Sequence, residues 1–134
     1  MSAQLSEKLK QLVDGGKTFA MVSTLLPDGS PHLAVVWMGR DGDDLVFATG
    51  AGSRKAVDLG RDPRISVLLQ PAAAPYTYAE VRGTVTLSEQ DGPELLDRLS
   101  VAYEGKPYAQ FSPGASTSGA VAVRITPRKI VDTL

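Results

Sequence analysis

The chain has 134 residues, with 14 Lys and Arg against 15 Asp and Glu, one His and no Cys, for a formal net charge of -1 at pH 7. That length suits one domain spanning residues 1–134. The absence of Cys excludes disulfides and thiolate metal sites, the single His argues against metal catalysis, and the balanced charge argues against nucleic acid or an anionic membrane as a partner.

No apolar run reaches signal-peptide or membrane-span length, so a cytoplasmic address is expected. Leu5, Leu9, Leu12 and Val13 recur at helical spacing behind Ser2 and predict a short amphipathic helix ended by Gly15 and Gly16. Residues 19–26, 32–38 and 45–49 are rich in β-branched and aromatic types. The turn sequences PDGS and RDGDD separate them, which reads as a three-stranded meander. A short helix is expected over 53–60, a compact apolar strand over 64–70, and a rigid loop over 71–75, where Pro71 and Pro75 block continuation.

From Tyr76 to Leu87 the pattern alternates. Tyr76, Tyr78, Glu80, Arg82, Thr84 and Thr86 fall on a wet face, and Thr77, Ala79, Val81, Gly83, Val85 and Leu87 on a packed one. Glu80 and Arg82 are read as an exposed ion pair of little energetic weight. Residues 94–103 carry a helical stripe of Leu95, Leu96, Leu99 and Ala102. A loop with Pro107, Pro113 and Gly114 follows, and two strands, 120–126 and 129–132, divided by Pro127, complete the pattern. Six or seven strands with three short helices predict a mainly β fold, an antiparallel sheet closed into a barrel so that no edge is left to template aggregation. Residues 33–37 and 65–69 are apolar on both faces, which calls for a subunit interface as cover.

Chemistry concentrates in Phe47-Ala-Thr-Gly-Ala-Gly-Ser-Arg-Lys55. A strand end, Gly50 and Gly52, the hydroxyls of Thr49 and Ser53, and the cations Arg54 and Lys55 precede a short helix. Glycines let backbone N–H groups approach a phosphate, and the helix start favours negative charge. Ser53 occupies the N-cap position, Arg54 offers a bidentate fork and Lys55 a point charge. The alternative is that Arg54 and Lys55 merely solvate a helix end. Cations in a first helical turn, however, oppose the dipole by about 0.3–1 kcal/mol each, which favours an anion there.

This segment, with Thr49, Ser53, Arg54 and Lys55, resembles the phosphate-binding segment of the pyridoxamine 5'-phosphate oxidase-like split β-barrel superfamily. Asp28-Gly29-x-Pro31, Val36-Trp37, Asp41-Gly42, Asp62-Pro63-Arg64-x-Ser66 and Pro75-Tyr76-x-Tyr78-x-x-Val81-Arg82-Gly83 are similar to its deazaflavin branch, which uses coenzyme F420. The resemblance covers nearly the whole chain. It implies a split β-barrel homodimer with cofactor sites at the subunit interface, binding F420 or, alternatively, flavin mononucleotide (FMN). It further implies hydride transfer from the reduced deazaflavin to an unsaturated small molecule. A non-catalytic protein that stores F420 or a flavin is the third reading. Trp37 stands where the vitamin-processing oxidases carry a Lys at the end of the second strand, which disfavours pyridoxine phosphate oxidation. Val35 replaces a common Pro, and Asp58 replaces a usual Asn.

The resemblance lays residues 32–37, namely His32, Leu33, Ala34, Val35, Val36 and Trp37, along the cofactor ring, and lets Gln70, Tyr76 and Tyr78 complete the pocket from one or the other subunit. His32 is a candidate proton donor, with a surface or structural role as the alternative, and Trp37 either walls the pocket or belongs to the core. Arg40, Arg61 and Arg64 could extend a positive field toward an acidic cofactor tail. With so few nucleophiles or neutral-pH acids in the chain, a bound cofactor has to carry any difficult chemistry.

Overall fold

The structure, a computed structural model, describes residues 2–134. Helix α1 (Glu7–Asp14) is capped four residues later than Ser2, because Ser6 accepts the Leu9 N–H at 3.1 Å. The residues before it run extended, with the Ala3 N–H on the Pro127 carbonyl at 2.8 Å. Strand β1 (Phe19–Leu25) pairs with β2 (Pro31–Trp37) through the predicted tight turn. There the Asp28 carboxylate takes the Ser30 N–H at 2.9 Å, and Gly29 sits at φ +86°.

The meander does not form. Strand β2 stops at Trp37, and β3 (Gly39–Asp41) pairs with β4 (Asp44–Gly50) instead, about the RDGDD turn with Gly42 at φ +63°. After β4 come α2 (Arg54–Arg61), β5 (Arg64–Leu69), β6 (Ala79–Ser88), α3 (Gly92–Glu104), a short α4 (Tyr108–Phe111) and β7 (Ala120–Asp132). The strands form one antiparallel sheet in the order β2-β1-β5-β6-β7-β4-β3. Its two edges, β2 and β3, are separated in the chain by Met38 alone. The sheet must therefore curl until those edges lie side by side, which gives the expected mainly β split barrel.

Met38 marks the break because its backbone is held by a side chain. The Tyr103 hydroxyl accepts the Met38 N–H at 3.1 Å and lies 2.8 Å from the Met38 carbonyl oxygen and 2.7 Å from that of Thr18. Burial pushes the Tyr103 phenol above its ordinary pKa, so it stays protonated. Tyr103→Phe leaves these buried backbone groups short of a partner and is expected to cost about 1–3 kcal/mol in chemical denaturation, with the β2-to-β3 crossover loosened first.

Inward-facing Val22, Phe47, Val67, Leu69, Val81, Val123 and Ile125 fill the barrel, and Leu9 and Val13 of α1 join the same core. On β6 the predicted alternation holds from Ala79 to Thr86, but Leu87, expected on the packed face, is exposed near the strand end. Tyr76 and Thr77 precede the strand, in turns where Ala74 N–H meets the Pro71 carbonyl and Thr77 N–H the Ala74 carbonyl. Strand β7 is one strand rather than two. Lys129 faces Arg82 and Pro127 faces Gly83, so Arg128 is the extra residue of a bulge that absorbs the proline. Gly83 is required there, since a Cβ would lie 2.3 Å from the Thr126 carbonyl oxygen. Among the described residues, no helix is long and apolar enough to cross a membrane.

Candidate functional site at the β4–α2 turn

Strand β4 ends where β7 begins, with Gly50 opposite Ala120, and the chain turns at once into α2. Ser53 caps the helix by accepting the Ala56 N–H at 3.2 Å, and Thr49 donates its hydroxyl to the same oxygen at 3.0 Å. Ala51 N–H is taken by the Gly119 carbonyl and Ser53 N–H by that of Gly50. Among the described residues, the backbone N–H groups of Gly52, Arg54 and Lys55 have no acceptor. A Cβ at Gly50 or Gly52 would meet nothing within 4 Å, so the turn is open on its outer side. Unpaired amides, a hydroxyl pair and a helix start together form a concave donor set that suits a phosphate.

The two cations are not equivalent. Arg54 donates from Nε at 2.9 Å to one oxygen of Asp58, whose carboxylate is fully buried, and its Nη2 lies 2.7 Å from the same oxygen as an ion pair. Its other oxygen takes the Thr24 hydroxyl at 2.9 Å, and Arg61 approaches from the far end of α2 at 3.5 Å. Burial alone would raise the Asp58 pKa. The hydrogen bonds from Arg54 and Thr24, with the two guanidinium charges, hold it below the usual carboxylate value. Arg54 is therefore gripped along one edge of its fork, and only its Nη1/Nη2 end remains for a ligand. Lys55 is half-buried and makes no ion pair among the described residues. Arg40 and Arg64 are tied at 2.7 Å to Asp14 and Asp62, and Arg61 is held by Asp58 and the Leu25 carbonyl, so the expected extended positive field is neutralised within the chain. Glu80 and Arg82 form the expected pair at 3.2 Å.

Lys55 and Thr49 border a cavity of about 270 Å³ at the seam where β2 meets β4, with Phe19, Val35, Val36, Trp37 and Ala48 on its walls and Leu96 and Leu99 of α3 over it. The Trp37 ring stacks on Tyr103 at 6.0 Å between centroids, and Phe111 of α4 meets it edge-on at 5.2 Å. Trp37 thus joins an aromatic cluster and also presents a face to the cavity.

Of the sequence-predicted residues, this cavity unites Val35, Val36, Trp37, Thr49 and Lys55. Leu33 and Ala34, together with Val35, line a second, apolar groove of about 530 Å³ with Met21 and Leu68 on the outer sheet face. His32 heads β2 and lines neither. Gln70 donates to the Pro75 carbonyl, Tyr76 is almost wholly exposed, and these two and Tyr78 do not reach the cavity within one subunit. Sequence reasoning missed Phe19, Ala48, Leu96 and Leu99 as walls. It also missed the role of Asp58, although Asp58 stands four residues after Arg54 and three before Arg61, the spacing of helix-surface ion pairs.

A curled antiparallel sheet, with an open turn of unpaired N–H groups beside an aromatic-walled cleft, defines a split-barrel domain. Residues 5–132 match the family described as pyridoxamine 5'-phosphate oxidase, and the chain belongs to that family. Among solved structures, it is similar to a protein described as an F420 reductase, at 23% identity and a TM-score of 0.81, covering 95% of this chain and 98% of that one. A conserved hypothetical protein from Mycobacterium tuberculosis, Rv2991, matches at 28% identity and a TM-score of 0.71, over 96% of this chain and 84% of its own. A putative pyridoxamine 5'-phosphate oxidase from Listeria innocua follows at 18% and 0.68, over 94% and 95%. No curated protein matches the chain. The family supports an oxidoreductase-like protein with a flavin-type cofactor.

Proposed function

We propose that this chain is a homodimeric oxidoreductase that holds F420 at the β4–α2 turn and reduces an unsaturated small molecule. The observation that carries the reading is the cluster of unpaired N–H groups at Gly52, Arg54 and Lys55 beside the free Lys55 ammonium, opening into the Trp37 cavity. The donor set fits a phosphate, and the aromatic wall fits a planar ring. Family membership and the likeness to an F420 reductase support F420, while the family's own description keeps FMN as the second reading.

When bound and reduced, such a cofactor supplies a hydride. The chain's own part is to anchor the phosphate at Ser53, Arg54 and Lys55, to set the ring against Val35, Val36 and Trp37, and to keep water from the reacting face. His32, at the head of β2, is within the proposed proton-delivery role only if substrate or a partner residue bridges to it. A cavity of about 270 Å³ is below the roughly 300 Å³ at which pockets begin to enclose a drug-sized ligand. Leu33 and Val35 are 71% and 65% exposed on the apolar groove, and a second copy seated there would cover them and complete the pocket from the partner's chain.

Lys55→Ala tests the cradle cleanly, because the side chain holds nothing else in place. Cofactor affinity should fall by about 1.5–3 kcal/mol, read by deazaflavin or flavin fluorescence titration, with the unfolding midpoint unchanged. Equal affinity in the variant would remove Lys55 from the site. Arg54→Ala is a poorer probe, since it also strips a partner from buried Asp58 and should lower stability as well as binding.

A further inference from the structure

The Trp37 indole, one wall of the candidate cavity, rests on supports of unequal strength. The Tyr103 ring stacks on it at 6.0 Å and is itself fixed, its hydroxyl bonded to the backbone of Met38 and Thr18. Its other aromatic neighbours, Phe111 and Tyr108, meet it edge-on at 5.2 and 6.4 Å and belong to the short helix α4. We infer that α4 is a detachable backing for Trp37, latched by Asp97, and that Phe111 and Asp97 position the indole and so govern what enters the ring side of the cavity. The inference deepens the cofactor reading above and rests on it only for the identity of the entering group.

The remaining walls are fixed. Val35 and Val36 lie in the β1–β2 ladder, and Ala48 and Thr49 in the β4–β7 ladder. Helix α3, which carries Leu96 and Leu99, is pinned by Gly92 against Ala120 and by Tyr103 at the Met38 crossover. Helix α4, by contrast, has four residues and buries none of them, and Phe111 is 41% exposed. Among the described residues, two hydrogen bonds tie residues 106–116 to the rest of the chain. The buried Ser100 hydroxyl donates to the Lys106 carbonyl at 2.7 Å, and the Tyr108 N–H donates to Asp97 Oδ1 at 3.0 Å. The first fixes where the segment leaves α3. The second, at the start of α4, fixes whether the helix lies against Trp37.

Segments with few buried contacts and few backbone hydrogen bonds open at the smallest cost in free energy. The cavity has a use for such a wall, because about 270 Å³ is too little to enclose a drug-sized ligand and a fused tricyclic ring has no rotatable bond with which to adapt. When α4 lifts, Trp37 keeps only Tyr103 as an aromatic neighbour, and the ring side widens without breaking a strand ladder.

Trp37 is the only Trp in the chain, so its emission reports this ring alone. Its quenching by acrylamide, with no ligand present, is compared in the wild type, Asp97→Ala, Asp97→Asn and Phe111→Ala. Quenching should rise in both Ala variants and stay at the wild-type level in Asp97→Asn, whose side-chain oxygen still accepts the Tyr108 N–H. The urea midpoint should not move, since α4 buries no side chain. Stopped-flow mixing with lumichrome, the bare tricyclic ring, should show association about fivefold faster in Asp97→Ala, the shift in a closed-to-open balance that loss of one hydrogen bond gives. Asp97→Asn should restore the wild-type rate.

Unchanged quenching in both Ala variants overturns the positioning of Trp37 by α4, and Phe111→Ala decides this alone should Asp97→Ala not fold. Quenching that rises equally in Asp97→Asn overturns the latch. Raised quenching with an unchanged lumichrome association rate overturns control of entry. If neither lumichrome nor FMN binds the wild type, the cofactor reading fails and entry control falls with it, while the acrylamide result still decides whether α4 positions Trp37.

Discussion

Gly92→Ala is expected to destabilise the chain by about 3 kcal/mol, the upper end of what overpacking usually costs. Gly92 opens α3, and a Cβ there would stand 1.9 Å from the Ala120 carbonyl oxygen and 2.8 Å from the Val121 nitrogen. Both are backbone atoms at the start of β7, in the middle of the sheet, so no side chain can swing aside. The helix itself must move. Because α3 carries Leu96, Leu99 and Tyr103, its displacement opens the roof of the candidate cavity and loosens the Met38 crossover together. Urea denaturation should show a lowered midpoint, and cofactor titration a loss of affinity in the same variant. Gly60→Ala is the control, since nothing lies within 4 Å of its Cβ and the position is helical. It should be neutral or stabilising by up to about 1 kcal/mol. Equal destabilisation at both positions would refute the steric account.

Phe47→Ala should cost about 3–5 kcal/mol, the largest single effect expected in the barrel. Phe47 is fully buried and faces Val123 across the β4–β7 ladder. Truncation leaves a cavity that rigid strands on every side cannot fill. The site lies immediately downstream, with Ala48 on the cavity wall and Thr49 bonded to Ser53. Any relaxation of β4 toward the void therefore shifts the helix cap, and affinity should fall with stability. A variant that lost 3 kcal/mol yet bound cofactor normally would show that β4 does not transmit its position to the turn.

Local features were legible in the residues wherever a short-range rule decided them. Asp28-Gly29 and Asp41-Gly42 make the two turns their sequences demand, Ser53 caps α2, and the inward residues of β6 from Ala79 to Val85 are the ones alternation selected. The misreadings share one cause. Pairing β2 with the strand after RDGDD assumed that neighbours in sequence are neighbours in the sheet, whereas the Tyr103 hydroxyl, 65 residues away, ends β2 at Met38. Dividing β7 at Pro127 assumed that a proline ends a strand, whereas a bulge opposite Gly83 absorbs it.

The sequence by itself determined the donor set of the candidate site, because a capped helix start carries its glycines, hydroxyls and cations within seven consecutive residues, from Thr49 to Lys55. Tertiary structure decided how those groups are spent. It brought the Thr24 hydroxyl from another strand onto Asp58, turned one edge of Arg54 inward and left Lys55 free, and it set the Trp37 wall beside the turn by curling edge strand β2 against β4. Charge compensation inside a fold depends on which groups burial brings within a few ångströms, and that distance is set by sheet closure rather than by spacing along the chain.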